Sequence, residues 1–393
     1  TIPNFRLGSR AKTLPRFEPT TRLYELGVFD MRATFAGHSW QRLGAYAFSV
    51  LALGLALGLG AMAKADSGGS DSVGKVPDNP AGERLRVVPD NLFHIKFVDD
   101  SRGYMTGYHG TLLRTDDGGE SWRYLPLNSH ELLRRGAFPA RDKAWLVGHR
   151  GSIFHSSDGG ESWAVQHREE GIYLRDVAFL NETTGWAVGH ENTILFTTDG
   201  GKSWAKQTIA DYTRRDKARL SAIAILDRNR VVITGEFGVA AYTTDGGESW
   251  NHVVIDGEPS MTAIAHAGER IMAVGLDGAV VQMAFTPEGF VAQRLPLNIP
   301  THLLDIRFTK VGVLVAGFGV VVRCTDAGCD VLPPAPELET NFLWFGGVDL
   351  APDGAIWAVG LGGTVARAPS FQDPVQAHFV LGGPGWDAAQ TRD

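Results

Sequence analysis

The sequence has only two cysteines in 393 residues, Cys324 and Cys329, too few for a disulfide framework to hold a fold of this size. It has no excess of positive charge: 37 Lys and Arg face 44 Asp and Glu, for a formal net charge of −7. Without a basic stripe or interleaved aromatic and basic residues, nucleic acid is excluded as a partner. Long apolar runs are also scarce. Residues 43–63 form the one uncharged apolar stretch long enough to cross a bilayer. There is no P-loop, no zincin helix and no Gly-x-Ser-x-Gly elbow, so the chemistry those motifs carry is not on offer.

What is abundant is repetition. TDDGGESW (115–122), SSDGGESW (156–163), TTDGGKSW (197–204) and TTDGGESW (243–250) are four close copies of one box. Each reads as a hairpin in which the two glycines take positive φ and Asp117, Asp158, Asp199 or Asp245 accepts the turn's own amides. Trp122, Trp163, Trp204 and Trp250 follow, with apolar surfaces suited to burial between neighbouring sheets. A second mark, a Gly-x-x-Gly-like turn, precedes each box and persists where the box is lost. Its closing positions are 110, 151, 192, 238, 278, 319 and 363. Seven units of 40 to 46 residues match the period of a four-stranded propeller blade. The expected fold is all-β, a seven-bladed β-propeller with four-stranded antiparallel blades.

The repeat absorbs about 300 residues into one body. Residues 1–30, interrupted by Pro3, Pro15 and Pro19, are read as an upstream extension outside the fold. Residues 31–65 read as an export segment: Met31 is the start, Arg32 and Arg42 form its basic region, and Ala63-Lys64-Ala65 is a small-x-small cleavage site. The apolar run is longer than a signal peptide needs, so cleavage after Ala65 and retention as a membrane tether are both open. Residues 66–83 have a flexible linker's composition. The propeller is placed at 84–382 and a tail at 383–393. Residues 1–65 carry 8 of the 37 bases and 3 of the 44 acids, leaving 29 against 41, so the exported part is near −12.

Innermost strands are expected at FHIKFV, LRRGAF, LRDVAFL, LSAIAIL, MTAIAHA, LLDIRFT and the irregular FLWFGGVDL, with second strands such as GWAVG covered on both faces. Closure of the ring is expected from Leu85 to Val88 or Phe379 to Leu381, completing a blade with strands from the opposite terminus.

The boxes and the flanking patterns GYMTGYHGTLLRTDDGGESW and GWAVGHENTILFTTDGGKSW resemble those of the photosystem II stability and assembly factor family of Asp-box propellers. The resemblance spans residues 85 to about 368. It implies a non-catalytic exported scaffold that holds a membrane-protein complex or its assembly intermediate, in the periplasm or thylakoid lumen. Relatives are often lipid-anchored, and this export segment has no cysteine to acylate. An accessory subunit of an envelope transporter would use the same kind of surface. Asp boxes also occur in glycosidases and sugar-binding propellers, but the Arg-Ile-Pro of sialidases is missing, and the boxes sit opposite the face where propeller enzymes place their sites.

No catalytic residue, cofactor or metal is expected. His109, His149 and His190 share the turn between second and third strands, yet equivalent positions spread around a ring, and they are read as polar turn residues. The partner-binding residues are expected to be Arg134, Arg135, Arg175, Arg214 and Arg215, placed on loops entering blades two to four of an otherwise acidic, monomeric body. In the damaged sixth box, CTDAGCDV, Cys324 and Cys329 face across a short loop, and a disulfide stapling that turn is expected.

Overall fold

The computed structural model describes residues 90–378 except 126, 128, 211, 213–216, 297, 298, 326 and 327. The extension, export segment and linker, the terminal strands expected to close the ring, the tail, and Arg214 and Arg215 all lie outside the described residues. Within them the chain forms seven antiparallel four-stranded sheets, each built from four consecutive strands. This is a seven-bladed propeller with four-stranded blades. The innermost strands are Leu92–Phe97, Leu133–Ala137, Leu174–Phe179, Leu220–Ile225, Met261–Ala267, Leu303–Thr309 and Phe345–Leu350.

The meander defines two faces. First-to-second and third-to-fourth connections share one, here the box face; second-to-third turns and the loops entering each blade share the other, the entry face. Backbone bonds confirm the pairing: Gly118 donates to the Ser101 carbonyl on the box face, and Gly110 donates to the Glu131 carbonyl on the entry face. Second strands such as Ala144–Gly148 and Gly185–Gly189 are buried at every position, because a neighbouring blade covers each side. The core therefore lies between blades. Trp186, Val188 and Ile194 of blade 3 pack with Leu220, Ile233 and Trp250 of blade 4, the kind of large apolar contact that dominates burial energetics.

The boxes are longer than tight hairpins: in each, the third strand ends at the leading Thr or Ser, and the fourth begins after the tryptophan. Side chains close the loop instead. In the third box the Thr197 hydroxyl donates to Asp199 Oδ1 (2.8 Å) and accepts from the amides of Gly201 (2.8 Å) and Asp199 (3.3 Å). Asp199 then accepts from the amide and hydroxyl of Ser203 (3.0 and 2.6 Å). The other three boxes repeat this pattern. Each box also abuts the preceding blade. Gln166 accepts from Trp145 Nε1 and donates to the Gly200 carbonyl; Gln207 accepts from Trp250 Nε1 and donates to Gly247. Gly201 has φ +81°, and a Cβ there would lie 2.0 Å from Gln166 Oε1, so only glycine fits. Trp122 and Trp250 are buried, whereas Trp163 and Trp204 are half-buried.

Blades 5 and 7 close their third-to-fourth connections without a box. In blade 6, Cys324 and Cys329 are directly opposed in the outer hairpin and joined as a disulfide. Blade 7 meets blade 1 through Trp357, Val359 and Val365 against Leu92, Ile95, Phe97 and Met105, and Phe93 stacks on Trp344 with centroids 5.5 Å apart.

Two outcomes follow from the box chemistry. Thr197→Val strands the Gly201 and Asp199 amides and should lower stability by about 1–2 kcal/mol in urea unfolding. Hydrogen bonds from Ser162 and Ser203 hold Asp158 and Asp199 at about 2; burial opposes the same effect at Asp245, where Ser249 prevails and the carboxyl also lies at about 2. Depressed carboxylates stabilise the fold above the unfolded value of about 3.9 and lose that contribution as pH falls through the folded value. The boxes' share of the Tm should therefore be level near neutrality and be lost between about pH 4 and 2. It lies beneath an earlier decline that starts below the usual histidine value, as buried neutral imidazoles such as His190, held at about 3, resist protonation. The triple variant Asp158→Asn, Asp199→Asn, Asp245→Asn should start lower and fall less steeply between about pH 4 and 2.

Candidate functional site at the channel mouth

Every innermost strand carries one bulge at its second residue. Leu133 pairs with Gly148 and Arg135 with Val147, leaving Arg134 between them without a partner in the ladder. The equivalent residues in the other blades are Phe93, Arg175, Ser221, Thr262, Leu304 and Gly346. A bulge bends a strand and redirects its side chain, so these seven residues ring the entry-face end of the central channel.

The ring is chemically lopsided. The Arg134 guanidinium lies over Phe93, 5.1 Å from the ring centroid, and that of Arg175 lies 5.8 Å from Tyr173. Tyr173 in turn meets His149 and His190 edge-on, at 4.5 and 5.0 Å. Arg134 and Arg175 are only 4% and 5% exposed, and among the described residues neither has a carboxylate partner. Arg175 Nε and His190 Nε2 are buried without a hydrogen bond. Burial, with Arg175 and Arg135 nearby, pulls Arg134 down to about 10, and burial with Arg175 and Arg219 pulls His190 down to about 3. The mouth between blades 2 and 3 thus holds two desolvated cations and a neutral imidazole, an arrangement that an anionic group would complete.

Deeper in the channel the charges are paired. Arg135 donates to Asp305 across the ring from blade 2 to blade 6, at 2.8 Å, with both side chains buried. Arg307 contacts His94 Nε2 at 2.8 Å. Amides on the inner edges of first strands are capped by side chains of the preceding blade: Ile223 donates to Asp176, Val348 to Asp305, and Phe97 to Asp349. Burial raises Asp176; burial also opposes ionisation of Asp305, but Arg135 and Arg307 prevail and lower it. A cavity of about 140 Å³ remains among His94, Arg135, Asp176 and Arg307.

The expected arginine patch is therefore corrected in its placement. Arg134, Arg135 and Arg175 lie within innermost strands and are buried, because the bulge and the channel accommodate guanidinium groups there. Arg135 is committed to Asp305, and only Arg134 and Arg175 remain together at the mouth. The three turn histidines do not converge: His109 is exposed and pairs with Asp90, while the other two flank Tyr173. Among the described residues no group of three His, Cys, Asp or Glu could hold a metal, and no helix is long and apolar enough to cross a membrane. Sequence reasoning missed the aromatic half of the mouth, Phe93 and Trp344, and Phe342, 81% exposed on the loop entering blade 7.

The profile described as Photosynthesis system II assembly factor YCF48 matches residues 83–170 and 166–284. The chain belongs to this YCF48 family. No match is found among curated proteins. A structure described as YCF48 bound to D1 peptide aligns with TM-score 0.55 and 18% identity over 72% of this chain and 92% of that one. YCF48 from Cyanidioschyzon merolae aligns with TM-score 0.58 and 17% identity over 72% and 96%. A GH74 enzyme from Niastella koreensis shares the fold at TM-score 0.59 and 12% identity, but this chain covers 54% of its length. At these identities the structures speak to fold alone.

The contrast between adjacent arginines is testable within this YCF48-family propeller. Arg135→Met leaves the buried Asp305 with only the Val348 amide and the longer Arg307 contact of 4.0 Å, and should cost about 3–5 kcal/mol in urea unfolding. Arg134→Met removes a buried cation that has no partner, and should leave stability unchanged or raise it by up to about 2 kcal/mol.

Proposed function

We propose that the chain is an exported, non-catalytic assembly scaffold that docks a membrane-protein complex, or an intermediate in its assembly, on the entry-face mouth. The observation that carries this reading is the pair of buried arginines, Arg134 and Arg175, held without carboxylate partners beside aromatic rings. Isolated buried cations are costly, so a fold that keeps two of them together has a use for an incoming carboxylate or a set of carbonyls. Arginine's planar fork binds either one with defined geometry. Family membership and the description of a relative bound to a D1 peptide point the same way.

The apolar, uncharged residues 43–63 support export, to a periplasm or lumen, with residues 66–83 as a tether if the segment is kept. The reading as a scaffold is also supported by where carboxylates on the entry face are committed. Glu131 bonds Arg168 and Ser152, and Glu236 bonds Arg219, so neither is free for the paired acid and base work of a glycosidase.

The test is affinity purification from membranes with the double variant Arg134→Gln, Arg175→Gln. The Tm should hold or rise, while recovery of the co-purifying membrane protein falls sharply and its residual binding loses salt sensitivity. Equal recovery at low and moderate salt would return both arginines to a purely internal role.

A further inference from the structure

Intact boxes seat their glycines against the preceding blade on the box face: Gly119 against Trp357, Gly201 against Trp145 and Gln166, and Gly247 against Trp186 and Gln207, with a groove of about 620 Å³ left between blades 3 and 4. The sixth unit has lost that glycine contact. Its third strand, Val320–Thr325, pairs directly with Gly328–Val331, and the cleft toward blade 5 stays open as a groove of about 530 Å³. The groove is lined by His266 and Arg270 of blade 5 and by Phe308, Lys310, Cys324 and Thr325 of blade 6. Cys324 is buried at its wall, whereas its bonded partner Cys329 is exposed on the outermost strand. Arg270 lies against the ring of Phe308, 5.5 Å away. Neither Arg270 nor Lys310 has a carboxylate partner among the described residues.

We infer that the Cys324–Cys329 pair is a thiol–disulfide exchange site for the exposed thiolate of a protein dithiol, with Cys329 the sulfur attacked and Cys324 the leaving group. The asymmetry in exposure selects the point of attack, since an incoming thiolate reaches Cys329 from solvent and Cys324 only through the groove. The cationic wall selects the leaving group, because nearby Lys and Arg favour a thiolate and a more acidic thiol leaves faster. In the first step the incoming sulfur bonds to Cys329 Sγ, and the electron pair of the broken S–S bond goes to Cys324 Sγ, with no net oxidation. In the second, the other thiolate of the same partner displaces Cys329. The partner's dithiol is oxidised to a disulfide, and the chain's pair takes up the two electrons and two protons. The site lies on the opposite face from the channel mouth and is independent of the docking proposed there.

Reduced glutathione is the probe. The oxidised full chain is incubated with it anaerobically, quenched with an alkylating reagent and mapped by fragment-ion mass spectrometry. Glutathione should sit on Cys329 and the alkyl group on Cys324, and Arg270→Ala with Lys310→Ala should slow the reaction at least about threefold at low salt. Should that pair fail to fold, Arg270→Gln with Lys310→Gln takes its place. Glutathione on Cys324, equal rates for wild type and the folded double variant, or a disulfide that glutathione opens only after unfolding in guanidinium would each overturn the assignment.

Discussion

The innermost strand of each blade has an edge with no further strand to pair with, and those edges face the central channel, where most first-strand residues are buried. Unpaired backbone amides in such a place must find acceptors. This chain supplies them from the neighbouring blade: Asp176 caps Ile223, Asp305 caps Val348, and Asp349 caps Phe97. Carboxylates so deeply buried then require cations, which Arg135, Arg307 and Lys96 provide. The channel is thus a chain of obligations running around the ring and across it. Among the described residues, blades 7 and 1 meet through this network and through the apolar seam between them.

Set against that paired interior, Arg134 and Arg175 stand out. They are one residue above the layer of Arg135 and Asp176, displaced to the mouth by a bulge that every blade shares. In other blades the same position holds Ser221, Thr262, Leu304 or Gly346, none of them charged. The scaffold does not need arginine there. Aromatic rings on either side lend partial compensation through cation–π contact, leaving the donors available to a ligand rather than to the fold.

Much of this was readable from sequence, for reasons of period. Aspartate, glycine and tryptophan recur in the boxes because a local turn needs them, and local needs leave local marks. The seven innermost strands fall where the alternation placed them, and even the irregular seventh starts late, at Phe345, after a short turn ending at Phe342. What could not be read was non-local. Arg135 and Asp305 are far apart in sequence and meet only because blades 2 and 6 face each other across the channel. Arg134, Arg135 and Arg175 were assigned to entry loops although the expected strands LRRGAF and LRDVAFL contain them, and a bulge common to all blades has no signature within any one of them. The half-burial of Trp163 and Trp204 likewise depends on what the adjoining blade presents.

The central claim is that partners dock on the entry face, at the mouth, while the boxes maintain the ring. A photo-crosslinking residue placed at Phe342, on the exposed loop entering blade 7, and another at Glu248, on the fourth box, sample the two faces in intact membranes. The account predicts a crosslinked membrane protein from position 342 and none from 248. A crosslink from 248 alone, or equal yields from both, would contradict it.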